Sequence, residues 1–85
     1  MNSMARSAKQ LGLAIQQRRQ TRNLTQGALA NLIGTGQKTI SKIENGNGAT
    51  KADTIFAVLA ALDLELVLMS RYKDTDSDLL ELLTK

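Results

Sequence analysis

The chain has 85 residues, 42% of them hydrophobic, and a formal net charge of +3. It contains no Cys and no His, which excludes disulfides, thiolate metal sites and the usual general base of an enzyme. No apolar run is long enough to cross a membrane, and the N-terminus lacks the apolar core of a signal peptide. We therefore expect a single soluble, cytoplasmic domain over residues 1–85 that binds no cofactor and no metal.

The positive charge is concentrated in the first part of the chain. Residues 1–51 contain eight Lys or Arg against a single acid, Glu44, which gives +7. Residues 52–85 contain three basic residues against seven acids, which gives −4. The basic part is suited to binding a polyanion such as nucleic acid. The acidic part is not, so we expect it to have a different role.

The first predicted helix spans about residues 8–22. Ser7 is a suitable N-cap, and Leu11 and Ile15 fall on one face at helical spacing. Asn23 tolerates the left-handed conformation that ends a helix. The folded core of the domain should begin with this helix, near residue 8. With the three further helices described below, it should extend to about residue 62.

The second predicted helix begins after Thr25, a good N-cap, and ends at a turn that contains Gly34 and Gly36. The third runs from Gln37 to the stop signal at residues 45–46. The spacing assigns the following residues to the buried stripe of the second helix: Ala28, Leu29, Leu32 and Ile33.

The fourth predicted helix covers about residues 52–62, and the pattern then changes to alternation over residues 64–70. This helix should supply much of the core through Ile55, Phe56, Val58, Leu59 and Leu62. The alternation predicts a β-strand with Leu64, Leu66 and Leu68 on one face. Because a lone strand leaves its backbone groups unpaired, we expect it to pair with its copy in a two-fold dimer. The acidic tail, residues 73–85, is interpreted as a short amphipathic helix or as disorder until a partner binds.

Two short helices joined by a glycine turn are typical of a helix-turn-helix, in which the first lies across the phosphate backbone and the second enters the major groove. Gln26, which we expect to be exposed in the first turn of the second helix, is placed to contact a phosphate. Gln37 suits adenine, and Lys38 or Lys42 can reach guanine. Thr39 and Ser41 are better suited to phosphates or thymine methyl groups. The alternative is that this polar helix only solvates the surface, but the turn spacing and the basic half favour DNA.

Glu44 would lie beside DNA, where an unneutralised carboxylate opposes binding. We expect Arg19 of the first helix to form a salt bridge with it. If the pair is buried, removal of one partner would cost about 3–5 kcal/mol. If it is exposed, the cost would fall below about 1 kcal/mol.

Catalysis has little support in the sequence. The turn at residues 34–36 lacks the Gly-Lys-Ser/Thr ending of a phosphate-binding loop. Asp74, Asp76 and Asp78 resemble the start of a calcium loop, but the required glycine and the final glutamate are missing. The sequence therefore indicates a binding protein rather than an enzyme.

The stretch TQGALANLIGTGQKTISKIENG, residues 25–46, closely resembles the helix-turn-helix of the phage-repressor and xenobiotic-response-element family. That family begins the motif with Thr-Gln, carries Leu-Ala in its first helix and ends with Ile-Glu-Asn-Gly. The resemblance implies phosphate contacts by Gln26 and Asn45, base contacts by Gln37, Lys38 and Lys42, and the salt bridge described above.

The continuation LDLELVLMS resembles HipB-type antitoxins, which repress their own operon and bind a HipA-type serine/threonine kinase toxin. This resemblance implies a dimeric, nucleoid-associated repressor of a palindromic operator that also holds a kinase. The tail departs from one branch of the family because it has no terminal tryptophan. The alternative is a stand-alone phage-type regulator with no toxin partner.

Overall fold

The computed structural model describes residues 3–71, which form four α-helices in the predicted order. These are α1 (Ala8–Thr21), α2 (Gln26–Ile33), α3 (Gln37–Glu44) and α4 (Ala52–Ala61). The all-α helix-turn-helix fold is therefore confirmed. The predicted acidic tail, residues 73–85, lies outside the described residues.

The predicted start of α1 and α2 is confirmed by side-chain caps. Ser7 Oγ accepts a hydrogen bond from the Gln10 N–H at 3.1 Å, and Thr25 Oγ1 accepts one from the Ala28 N–H at 3.0 Å. Each such cap satisfies a backbone donor that the helix leaves open and contributes about 1 kcal/mol. Asn23 adopts φ 57°, the left-handed conformation predicted between the two helices.

Glycines produce the two reversals on either side of α3. Gly34 closes α2 with φ 73°, and the N–H of the next residue, Thr35, returns to the Ala30 carbonyl at 2.9 Å. Gly46 follows α3 with φ 86°. Since side chains with a Cβ are disfavoured at such angles, these two positions fix the direction in which α3 enters and leaves the fold.

The hydrophobic core receives side chains from all four helices. Its buried members are Ile15, Leu29, Ala30, Ile40, Ile43, Val58, Leu59 and Leu62. The core lies behind α3, because α3 contributes only Ile40 and Ile43 to it and leaves its other face free. Burial of these aliphatic groups is the main source of stability in so small a domain.

Two expected core residues are exposed. Leu32 is 64% exposed and Phe56 is 52% exposed, so their assignment to the interior was wrong. Successive residues of a helix are rotated by about 100°. In α2 the buried face is centred on Leu29 and Ala30, and in α4 it includes Val58. Leu32 and Phe56 therefore point well away from the other helices.

Two contacts that the sequence analysis did not foresee join α1 to the rest of the fold. Gly12 is buried against the end of α3, where a Cβ would lie 2.8 Å from the Glu44 carbonyl oxygen and closer still to that of Ile43. Arg18 Nε donates to the Leu62 carbonyl at 2.9 Å. The close approach at Gly12 sets the distance between α1 and α3.

Residues 64–71 are not paired as a strand in this single chain. The Leu64 N–H donates to the Leu59 carbonyl at 2.8 Å, and Leu64 packs against the core. Within residues 3–71, the segment beyond Leu64 forms no backbone–backbone hydrogen bond. Leu66 is 53% exposed and Leu68 is 84% exposed. The segment thus leaves an apolar stretch and its backbone groups available.

Candidate nucleic-acid interface

The outer face of α3 presents the predicted base-contacting side chains. Gln37, Lys38 and Lys42 are exposed, whereas Thr39 and Ser41 are half-buried. The opposite face of α3 is anchored in the core by Ile40 and Ile43. The helix is therefore a rigid support for the exposed side chains of Gln37, Lys38 and Lys42.

Asn45, the remaining predicted contact, is the C-cap of α3 and is also exposed. Its Nδ2 lies 3.5 Å from Ser41 Oγ, the outer limit of a hydrogen bond. The side chain is therefore weakly held and available to another acceptor or donor.

Arg19 and Glu44 lie together in a buried, bidentate salt bridge. Arg19 Nε donates to Glu44 Oε2 at 2.7 Å and Arg19 Nη2 donates to Oε1 at 3.0 Å. The two side chains are only 10% and 2% exposed. A third donor, Nη1, contacts the Leu24 carbonyl at 2.8 Å. The hydrogen bond with Glu44 raises the pKa of Arg19, so the guanidinium stays charged.

Gln26 is not the freely exposed side chain that we expected. It is half-buried, and its Nε2 donates to Glu44 Oε1 at 3.1 Å. Its Oε1 accepts a long hydrogen bond of 3.4 Å from Gln37 Nε2. The side chain reaches Glu44 because α2 starts directly beside the end of α3. A chain of hydrogen bonds consequently runs from Arg19 through Glu44 and Gln26 to Gln37.

A polar cleft beside α3 contains residues that the sequence analysis did not select. It has a volume of about 380 Å³ and lies between the α2–α3 turn, α3 and the start of α4. Its lining is Thr35, Thr39, Lys42, Asn47, Ala49, Thr50, Lys51 and Thr54. Hydroxyl groups and two ammonium groups in one concave surface are suited to an anion such as a phosphate.

Little in the sequence indicates this cleft, because Thr50 and Lys51 are separated from α3 by a loop whose path is not evident from residue types. Within residues 3–71, no group of acidic residues is arranged to hold a metal ion. None of the four helices has the length and apolar character needed to cross a membrane.

A family model described as helix-turn-helix matches residues 15–69. Two proteins named Antitoxin HipB, from Escherichia coli O6:H1 strain CFT073 and from E. coli strain K12, are each 40% identical to this chain over 62 residues. The aligned region is 73% of this chain and 66% and 70% of the two relatives. The chain belongs to the HipB-like helix-turn-helix family.

Solved structures of this HipB-like family share the fold over the described region. The chain of a HipB-O4 20mer complex superposes with a TM-score of 0.77 at 35% identity, covering 84% of this chain and 100% of that one. The corresponding chain in the structure of a HipA-HipB-O2-O3 complex gives a TM-score of 0.76 at the same identity and coverage. These two solved structures are complexes of HipB with the O4 20mer and of HipB with HipA and O2-O3.

Proposed function

We propose that this chain is a dimeric, sequence-specific DNA-binding repressor and the antitoxin of a HipA/HipB-type toxin–antitoxin pair. The observation that carries the proposal is the presentation of three exposed side chains, Gln37, Lys38 and Lys42, by a helix anchored in the core. Repression of its own operon would place the protein on the nucleoid.

DNA contacts divide between bases and phosphates in this proposal. Gln37 reads adenine through its amide, and Lys38 and Lys42 read guanine or bind phosphates. Thr39, Ser41 and the exposed Asn45 contact the backbone at the edge of the groove. The cleft beside α3 receives one phosphate, which its lysine and threonine side chains neutralise and orient.

Gln26 joins this surface as a positioning residue that also reaches a phosphate. It holds the Gln37 amide through one hydrogen bond and is itself held by Glu44 through another. Because the Arg19–Glu44 pair is buried, the end of Gln26 that bonds to Glu44 is held before DNA binds, which lowers the entropy lost in the complex.

The dimer forms when residues 64–70 pair with the same residues of a second copy. Leu64 already packs on the core, and Leu66 and Leu68 would follow it on the same strand face. Pairing would satisfy the free backbone groups and cover apolar surface at once. We call α3 the reading helix, because it carries the side chains proposed to contact bases. Two reading helices held in this way would fit a palindromic operator with half-sites about 34 Å apart.

The DNA proposal is tested by sequencing duplexes that the purified protein selects from a random library. We expect an inverted repeat, and an affinity for it that falls steeply as salt is raised, because counterions are released from the phosphates. The absence of a selected sequence, or an affinity independent of salt, would contradict a repressor role.

The antitoxin proposal is tested by co-purification with a serine/threonine kinase encoded beside this chain. A matched control is Lys42→Ala, which removes an exposed ammonium group of α3 and should weaken binding to DNA of every sequence. A direct complex with the kinase should survive this change and nuclease treatment. If the kinase co-purifies only because both proteins are bound to the same DNA, it should be lost. A chain that selects an operator but never associates with such a kinase would be the stand-alone regulator instead.

A further inference from the structure

The sequence Asn45-Gly46-Asn47-Gly48 follows the reading helix directly and places two Asn-Gly pairs side by side. Asn-Gly is the dipeptide in which the backbone nitrogen of the glycine most easily reaches the asparagine amide, because glycine has no side chain to obstruct it. We propose that Asn47 is a site of spontaneous deamidation and that its conversion to a carboxylate weakens DNA binding. The second part of this inference rests on the proposed function.

The structure distinguishes the two pairs. The Gly46 N–H is already engaged with the Ile43 carbonyl at 3.0 Å, and Asn45 has near-helical angles of φ −84° and ψ 0°. Gly46 is also packed against α1, where a Cβ would lie 2.8 Å from the Lys9 Cα. Rearrangement of the backbone at residues 45–46 would therefore disturb the contact between α1 and α3. The first pair is protected.

The second pair is open to the reaction. Asn47 is exposed, and within residues 3–71 the Gly48 N–H forms no hydrogen bond. The Ala49 N–H donates to Asn47 Oδ1 at 2.9 Å. This bond turns the side-chain carbonyl towards the following backbone and makes Cγ more electrophilic. The hydrogen bond also stabilises the negative charge that develops on Oδ1 during attack.

In the first step, the Gly48 nitrogen forms a bond to Asn47 Cγ, and the Cγ–Nδ2 bond breaks. The proton lost from the Gly48 N–H leaves with the amide nitrogen as ammonia, and a cyclic imide remains. Water then opens the imide at either carbonyl, which restores the Gly48 N–H and leaves aspartate or isoaspartate at position 47. The net change is hydrolysis of one amide, with no oxidant or reductant.

The new carboxylate would lie in the wrong place for DNA binding. Asn47 lines the same cleft as Lys42 and Lys51, which is the proposed phosphate site. An aspartate has an ordinary pKa near 3.9 and is ionised at neutral pH, so it would offset one of these two ammonium groups and repel the phosphate. Deamidation thereby lowers the affinity of the intact domain without removing any part of its core.

The modification is tested by peptide mass spectrometry after the folded protein is incubated at mildly alkaline pH. Deamidation should appear at Asn47 well before Asn45, whereas the two sites should react at similar rates in denaturant. Gly48→Ala is the matched control: its Cβ would meet only Ala8 Cβ at 3.8 Å, an ordinary contact, yet it obstructs ring closure. A deamidation rate at Asn47 that is equal to or lower than the rate at Asn45 in the folded protein would overturn the assignment.

The consequence is tested with Asn47→Asp and Asn47→Ser, titrated against a mixed-sequence duplex over a range of salt. The aspartate variant should bind more weakly, and its slope of log affinity against log salt should be smaller by about one. The serine variant should keep the parent slope. Equal binding by the aspartate variant would overturn the proposed effect. If the parent protein itself fails to bind the duplex, the DNA proposal fails, while the mass spectra still decide whether Asn47 deamidates.

Discussion

Glu44 is the single acid among the first 51 residues, and both of its carboxylate oxygens accept hydrogen bonds inside the domain. Arg19 donates to both oxygens, and Gln26 adds a third hydrogen bond. The carboxylate therefore faces a guanidinium rather than a phosphate. A negative charge at the edge of a cationic surface is tolerated because it is neutralised and buried.

Replacement of this carboxylate should destabilise the fold strongly. Glu44→Ala leaves the Arg19 guanidinium buried without its partner, and we expect a loss of about 3–5 kcal/mol in the free energy of unfolding. Urea unfolding monitored by circular dichroism measures it. Glu44→Gln keeps the side-chain volume and one acceptor, so its loss should be smaller. A Glu44→Ala variant as stable as the parent would show that the pair contributes little.

At the level of the helices, the sequence predicted all four elements and their order, because caps and turn residues act locally. Ser7, Thr25 and Asn23 each signal a helix boundary through their own side chain or backbone preference. It was harder to predict which residues of each helix face the core. Leu32 and Phe56 are apolar at helical spacing, yet they lie outside the buried faces of α2 and α4.

The salt bridge between Arg19 and Glu44 could be predicted from the sequence, because a lone carboxylate beside DNA opposes binding unless a cation neutralises it. The candidate site was not predictable where side-chain conformation decides the contact. The hydrogen bond between Gln26 and Gln37 depends on how two flexible amides are rotated. The cleft depends on the path of the loop that brings Lys51 beside α3.

The contact between α1 and α3 leads to a second prediction about stability. Gly12→Ala should lower the free energy of unfolding by about 1–3 kcal/mol, because the new Cβ would meet the backbone carbonyls of Ile43 and Glu44, which cannot rotate away. Thermal melts of the variant measure this loss. Gly36→Ala is the control, since no atom lies within 4 Å of its Cβ and its φ is −88°. A Gly12→Ala variant as stable as Gly36→Ala would show that the helices can separate without cost.

Substitutions on α3 should separate base reading from phosphate binding. Gln37→Ala should reduce discrimination against the wrong base at one operator position by about 1–3 kcal/mol. Lys42→Ala, which also opens the cleft, should weaken binding to all sequences and reduce the salt slope by about one. Fluorescence anisotropy with matched and single-mismatch operators measures both. The same change in specificity and slope for both variants would argue against this division of tasks.

For the molecule as a whole, the proposed dimer depends on the segment over residues 64–70, which would hold two copies of α3 together. Leu66→Lys should shift the protein from dimer to monomer, because it places a charge on the face that continues from Leu64. Val67→Lys, on the opposite face of the same strand, should keep the dimer. Sedimentation velocity distinguishes the two states, and disruption by Val67→Lys alone would assign the other face to the interface.

The exposure of Leu68 has a consequence for how the protein responds to its own abundance. A chain that assembles through this segment would occupy its operator in proportion to the square of the free monomer concentration at low abundance, by mass action. Repression would then set in over a narrow range of expression rather than gradually. A partner that holds the monomer would move that threshold, even if it never touched the DNA.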